Sequence, residues 1–192
     1  KGMSDYQLSP NQKKLLLTHS SLLRHRDIYV KNSDGSGTTK QLTNTVSEEF
    51  ASYDWQAPQI VMVPSSHGEQ PVYAKIYLPQ GYDSSKDKQY PAVIFNHGAG
   101  YLQNSHFGWS GYFREFMFHN LLAQQGYVVM DMDYRASKGY GRDWRTEIYR
   151  QMGTPEVQDL ADGVSYMAKN LHVDASAVGT YGGSYGGFMT FM

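Results

Sequence analysis

Residues 175–187 read Ala-Ser-Ala-Val-Gly-Thr-Tyr-Gly-Gly-Ser-Tyr-Gly-Gly, and this stretch decides the fold. Its first part predicts a β-strand, and its second part contains the pattern G-x-S-x-G centred on Ser184. A serine at the tip of a sharp strand-to-helix turn occupies strained backbone, and Gly182 and Gly186 leave out the Cβ atoms that would collide there. The pattern alone is a weak signal, but a strand before it and a helix after it are the context in which it marks a nucleophilic serine.

The chain before this stretch alternates strand and helix patterns. Residues 92–95 and 127–130 are continuously apolar, as strands covered on both faces are. Phe113, Met117 and Leu121 recur at helical spacing, and Thr154-Pro155 opens a second amphipathic helix. Residues 60–63 and 72–78 predict two antiparallel strands at the start. The pattern therefore predicts an α/β fold with a mostly parallel, doubly wound sheet and antiparallel N-terminal strands.

The first 56 residues form a separate small β segment in this prediction. Residues 14–18 and 27–31 are strand-like, and Asp34-Gly35-Ser36-Gly37 is a turn signal. The segment resembles one blade of a β-propeller, a repeat that normally buries its apolar face against neighbouring blades. The alternative is an ordinary hairpin packed on the main domain. We place the boundary between residues 1–56 and a catalytic-type domain of residues 57–192.

Composition excludes several functional classes. The 192 residues carry 17 Lys and Arg against 18 Asp and Glu, so no strong field exists to attract nucleic acid. No apolar run is long enough for a membrane span, and a hydrophobic fraction of 40% argues against disorder, so we predict a soluble globular protein. The sequence does not distinguish a cytoplasmic from a periplasmic or secreted location. Cysteine is absent, which excludes disulfides and thiolate chemistry. Asp131 and Asp133 are too few ligands for a cation, so we predict neither a metal site nor a cofactor.

Acyl transfer at Ser184 requires further groups. A serine hydroxyl needs an imidazole base and a carboxylate that orients the base, and in this type of fold both follow the nucleophile. Only residues 185–192 follow Ser184, and all seven histidines precede it. The oxyanion requires two N–H donors, one of which is normally the amide after the nucleophile, here Tyr185. The second is expected from the glycine-containing loop after the 92–95 strand, where Gly98 and Ala99 are candidates and His97 is expected to hold the loop by a hydrogen bond.

Four ordered motifs together resemble the catalytic domain of the prolyl oligopeptidase family of serine peptidases. They are Asn96-His97-Gly98-Ala99-Gly100, the stretch at 134–141, Asp159 and the motif at 182–187. The resemblance implies an α/β-hydrolase fold, Ser184 as nucleophile, the Tyr185 amide in the oxyanion hole, and a substrate pocket bordered by Tyr185 and His97. Members specific for proline have a tyrosine at the His97 position. This sequence is more similar to the acylaminoacyl and dipeptidyl peptidase type, with Ala99 as the second donor.

The resemblance implies a serine peptidase that cleaves peptides through an acyl-enzyme on Ser184. Because the family has a complete propeller and a longer sheet, the chain is expected to be a fragment that ends just after the nucleophile, with the catalytic Asp and His downstream. The expected partners are a peptide substrate and either the remainder of the same protein or a second copy. Two alternatives remain: an esterase on the same fold, or a module that is catalytically silent as an isolated chain.

Overall fold

A computed structural model describes residues 2–68, 70–99 and 102–192. The chain divides into two compact units, one made of Lys1–Ala57 and His106–Phe113, the other of Pro58–Ser105 and Arg114–Met192. Among the described residues, no helix combines the length and apolar character needed to cross a membrane.

The first unit contains a four-stranded antiparallel sheet in the order β1-β2-β3-β4. The strands are β1 (Met3–Leu8), β2 (Lys14–Ser21), β3 (Arg24–Asn32) and β4 (Lys40–Gln41), and a short helix α1 (Glu48–Ala51) follows. The buried carboxylate of Asp27 accepts hydrogen bonds from Arg24, Thr43 and the Thr45 amide, which ties the end of the segment back onto β3. Sequence patterns predicted the two central strands but missed β1 and β4. The interpretation of this sheet as a propeller blade stays a prediction.

The second unit contains a five-stranded mixed sheet in the order β5-β6-β8-β7-β9. The strands are β5 (Gln59–Val63), β6 (Val72–Tyr77), β7 (Tyr90–Asn96), β8 (Val128–Met132) and β9 (Val173–Gly182). β6 pairs antiparallel with β5 and β8, whereas β7 pairs parallel with β8 and β9. Four strands therefore run in one direction and β6 alone is reversed, which confirms the predicted α/β class. The carboxyl ends of β7, β8 and β9 share one edge of the sheet, where ligands of α/β folds usually bind.

Helices cover this sheet and complete the core. They are α2 (Phe113–Gln124), α3 (Arg142–Thr146), α4 (Pro155–Asn170) and α5 (Tyr185–Phe191). In α4 the predicted apolar positions do face the core, with Leu160 and Met167 buried and Val157 and Val164 packed against it.

The predicted helix α2 is present, but its buried face differs from its apolar spacing. Phe116, His119, Asn120 and Ala123 are buried, whereas Phe113 and Leu121 are about half exposed, at 45% and 50%. The buried set follows the spacing of three and four residues that defines one helical face. Polar side chains on the inner face of α2 therefore hid the buried stripe from an analysis of apolar residues alone.

Candidate active site at the carboxyl edge of the sheet

Ser184 occupies a strained turn between β9 and α5. Its backbone has φ 57° and ψ −124°, a region that residues with a side chain rarely adopt. The residue is exposed at the surface of the second unit. Strain of this kind persists only where the surrounding structure enforces it, and it is typical of functional sites. The strand, the turn and the helix predicted around G-x-S-x-G are therefore all present.

Two glycines of the motif lie against the end of β7. A Cβ added to Gly186 would lie 1.9 Å from the Asn96 carbonyl oxygen, and one added to Gly182 would lie 2.4 Å from the same atom. Neither glycine has a positive φ, so close approach of the backbone, not an unusual dihedral angle, requires glycine there. Gly183 and Gly187 differ, because an added Cβ would meet nothing within 4 Å at Gly183 and only an ordinary contact at 3.4 Å at Gly187.

The loop after β7 begins at His97 and brings Gly98 and Ala99 to the same edge of the sheet as Ser184. Gly98 is buried and Ala99 is exposed. Gly100, the last residue of the motif, lies outside the described residues, as does Tyr101. Ala99 is thus the exposed member of the two residues predicted to supply the second donor.

His97 is completely buried, so the pocket role predicted for it is wrong in this structure. Its Nδ1 lies 2.7 Å from the Gly98 carbonyl oxygen, which can only accept, so Nδ1 carries a proton. Burial lowers the pKa of the ring, and the neutral ring accepts at Nε2 from Ser137 Oγ at 2.8 Å. Tyr134 stacks on the imidazole with 4.4 Å between ring centroids. The hydrogen bond that was predicted to hold the loop is present, but a ring without exposed surface cannot line a pocket.

Tyr185 contributes a backbone amide and an aromatic ring next to Ser184. Its N–H is at the first position of α5, where helix geometry provides no acceptor within the helix. Its hydroxyl donates to Oε1 of Glu156, a fully buried carboxylate whose other oxygen accepts from the Gly153 amide at 2.9 Å. Burial and this carboxylate raise the pKa of the Tyr185 phenol. No sequence signal pointed to the bond with Glu156, because the two residues are 29 positions apart.

The described residues bring no base to Ser184. Within residues 2–68, 70–99 and 102–192, no imidazole forms a hydrogen bond with the Ser184 hydroxyl. His97 is enclosed by Ser137 and Tyr134, and His67 bonds to Asp159 at the start of α4. The described residues therefore provide a candidate nucleophile and candidate oxyanion donors, but no complete triad.

Comparison with known proteins shows which family the chain resembles. Residues 114–192, which contain Ser184, match the model of the prolyl oligopeptidase family. It is 32% identical over 163 residues to human dipeptidyl peptidase 8, covering 83% of this chain and 17% of that protein. It is 34% identical over 116 residues to dipeptidyl-peptidase 5 of Porphyromonas gingivalis, covering 60% of this chain and 16% of that protein.

Solved structures of peptidases share the fold. The crystal structure of Porphyromonas gingivalis dipeptidyl peptidase 4 aligns with a TM-score of 0.82 at 25% identity, over 98% of this chain and 26% of that one. An acylaminoacyl peptidase of Pyrococcus horikoshii aligns with a TM-score of 0.74 at 19% identity, over 99% of this chain and 28% of that one. The chain thus spans between 16% and 28% of the length of these relatives and has the α/β-hydrolase fold.

Two further residues of the family motifs form a buried ion pair. The Arg135 guanidinium contacts both Asp159 oxygens, at 3.2 Å from Nε and 3.1 Å from Nη2, and the Arg135 amide donates to Asp159 at 2.8 Å. Nη2 also donates to the Pro155 carbonyl at 2.8 Å, where α4 begins. Burial raises the pKa of Asp159 to about 6, although Arg135 opposes this change. The pair therefore fixes the start of α4 and has a structural role.

One group of side chains in the described part of the chain has the spacing of a metal site. Ligand atoms of His67, Asp159 and Asp162 lie within 4.8 Å of one another. The Arg135 guanidinium already contacts both oxygens of Asp159, so a metal ion there would lie beside a fixed positive charge. The three side chains instead connect the 65–68 turn to α4. Asp131 and Asp133, the other residues considered for a cation, accept hydrogen bonds from residues 104 and 105.

A cavity of about 490 Å³ lies beside the Arg135–Asp159 pair. Its lining includes Ser65, Gln70, Tyr140 and Trp144, and Ser184 is not among the residues that line it. The exposed turn at Ser184 and this cavity are therefore separate features of the second unit, and the chemistry assigned to the serine does not depend on the cavity.

Proposed function

We propose that the protein containing this chain is a serine peptidase in which Ser184 forms the acyl-enzyme. The observation that carries the proposal is the exposed Ser184 in a backbone conformation enforced by close contact with β7. The names of the relatives, dipeptidyl and acylaminoacyl peptidases, support peptides as the substrate class. Release of N-terminal dipeptides is the first reaction to test.

The proposed reaction begins with attack of Ser184 Oγ on the substrate carbonyl carbon while a base takes the hydroxyl proton. The Tyr185 and Ala99 amides donate to the oxygen that becomes negative. The C–N bond then breaks, the leaving amine takes the proton, and water hydrolyses the resulting ester to regenerate the serine. In this proposal the base and its carboxylate partner lie outside the described residues, in agreement with the order nucleophile, acid, histidine of this fold.

Labelling with a fluorophosphonate probe tests the nucleophile in the natural protein. Attack of an activated serine on phosphorus displaces fluoride, and we expect the label on the peptide that contains Ser184. The Ser184→Ala variant should lose the label, whereas Ser176→Ala, which changes an exposed serine on β9, should keep it. Equal labelling of wild type and Ser184→Ala would refute the proposal.

Substrates with the same acyl part and different leaving groups separate peptidase from esterase activity. We expect the natural protein to hydrolyse a dipeptidyl amide as well as the matching ester. Turnover of the ester alone would make the esterase alternative correct. The isolated 192-residue chain should be inactive, since its described residues bring no base to Ser184; turnover by that chain, lost in Ser184→Ala, would show that a base is present within it.

A further inference from the structure

The loop that carries Gly98 and Ala99 is fixed on its far side by residues at the carboxyl end of β8. Residues 102–105 complete the loop, and the Leu102 carbonyl accepts from the Lys138 amide at 2.9 Å. Asn104 donates through its side chain to both oxygens of Asp131 at 3.1 Å. The loop after β7 is therefore attached to β8 and to the segment that follows it, and not only to its own strand.

Asp133 is the centre of this attachment. Its carboxylate is fully buried, Oδ1 accepts the Asn104 amide at 2.8 Å, and Oδ2 accepts the Ser105 amide at 2.9 Å. Oδ2 also accepts the Tyr140 hydroxyl at 2.7 Å, and the Asp133 amide donates to the Tyr73 carbonyl at 2.9 Å. Hydrogen bonds to an ionised carboxylate are stronger than neutral ones, and two consecutive backbone donors fix the main chain itself.

The same carboxylate also lies near the first residue of the loop. Asp133 Oδ1 is 3.8 Å from Nε2 of His97, whose ring accepts from Ser137 Oγ. The imidazole donates to the Gly98 carbonyl, so the ring sets the direction of the peptide that leads to Ala99. Asp133 therefore contacts one arm of the loop directly, through Asn104 and Ser105, and lies against the other arm at His97.

We propose that Asp133 is a positioning residue. It holds the Gly98–Ala99 segment in the position from which a backbone N–H can donate to the oxyanion formed in the Ser184 reaction. This inference rests on the function proposed above. It assigns to Asp133 a role in transition-state stabilisation without any contact with substrate. A displacement of an oxyanion donor weakens a bond that is made only in the transition state, so the expected effect is on kcat and not on KM.

Replacement of Asp133 by asparagine tests the role with little change in size. The amide offers one acceptor oxygen, so either the Asn104 or the Ser105 N–H loses its acceptor and faces an NH2 group. We expect kcat to fall about 10- to 100-fold with KM within about 3-fold, since complete loss of one oxyanion donor costs roughly 100- to 1,000-fold. The rate is divided by the concentration of reactive Ser184, which is measured by fluorophosphonate labelling carried to completion.

A tetrahedral inhibitor provides a readout that a purely structural role would not change. A peptidyl trifluoromethyl ketone forms an oxyanion on the enzyme, whereas the released dipeptide does not. In Asp133→Asn the inhibition constant of the ketone should rise by about the same factor as kcat falls, and that of the dipeptide should stay constant. Tyr140→Phe is the matched control, because it removes a donor to Asp133 and leaves both backbone bonds intact, and it should keep kcat within about 3-fold.

The possible outcomes separate this inference from the function on which it rests. If Ser184→Ala retains the turnover of wild type, both the proposed function and the positioning role of Asp133 are refuted. If turnover depends on Ser184, two results would overturn the positioning role alone. One is an unchanged kcat in Asp133→Asn, and the other is a loss of kcat in Tyr140→Phe equal to that in Asp133→Asn. If Asp133→Asn does not fold, Asp133→Glu keeps the charge and displaces its oxygens by one methylene. Wild-type kcat and ketone inhibition in that variant would likewise overturn the role.

Discussion

Alanine at Gly186 should damage the fold far more than alanine at its neighbour Gly187. The added Cβ at Gly186 would lie 1.9 Å from the Asn96 carbonyl oxygen, whereas ordinary contact begins at 3.4 Å, so β7 and the turn must separate by about 1.5 Å. The backbone fixes the position of a Cβ, and the atom that it meets is a backbone oxygen, so no side-chain rotation can relieve the overlap. Overpacking of a well-packed site costs typically 1–3 kcal/mol, and a backbone-to-backbone overlap belongs at about 3 kcal/mol or above.

Urea unfolding of the two variants and wild type, in the same natural protein, measures this difference. In Gly187→Ala the added Cβ meets only the Gly182 carbonyl oxygen at the end of β9, at an ordinary 3.4 Å, and within α5 alanine favours the helix over glycine by up to about 1 kcal/mol. We therefore expect an unchanged or higher unfolding midpoint for Gly187→Ala and a clearly lower one for Gly186→Ala, with loss of fluorophosphonate labelling. Equal midpoints for the two variants would refute the close-approach argument for the motif glycines.

Two further predictions concern buried polar groups. His119 is fully buried, its ring nitrogens have no hydrogen-bond partner among the described residues, and burial lowers its pKa to about 3. The folded state thus binds fewer protons at this ring than the unfolded state below pH 6.5, so stability falls with acid, by about 3 kcal/mol at pH 4. His119→Phe should flatten the urea midpoint between pH 7 and pH 4, and a slope equal to that of wild type would contradict this. Tyr185→Phe leaves Glu156 with one donor fewer and should lower the free energy of unfolding by about 1–3 kcal/mol, whereas Tyr149→Phe, 72% exposed, should not.

Patterns within short stretches of sequence predicted the local elements of the site. The turn at Ser184, the Pro155 start of α4 and the apolar strand before His97 all depend on neighbouring residues, and all are present. Steric reasoning about glycine also identified Gly182 and Gly186 as the positions of close approach, because that requirement is local to the turn.

Contacts between distant parts of the chain were not accessible in the same way. The bonds of Asp133 to Asn104 and of Glu156 to Tyr185 each join residues 29 positions apart, and either acid alone resembles an ordinary polar residue. The pairing of β7 with β8 brings Asn104 to Asp133, whereas Glu156 of α4 meets Tyr185 of α5 across β9, and no periodicity encodes either arrangement. The same reason explains the error at His97, because burial of that ring depends on Tyr134 and Ser137 from after β8.

The alignment of the proposed nucleophile with the proposed oxyanion loop is a property of the backbone. The Asn96 carbonyl oxygen is the atom that both Gly182 and Gly186 approach, and the peptide that it belongs to leads directly into His97 and the loop. Any change that moves the turn away from this carbonyl therefore also changes the distance from Ser184 to the Gly98 and Ala99 amides. Since Asp133 holds the other end of that loop, the position of the donors is determined from two sides. Loss of the Asp133 attachment should weaken stabilisation of the oxyanion while the serine itself remains in place, whereas a change at the turn moves the serine as well, and this separates damage to the loop from displacement of the nucleophile.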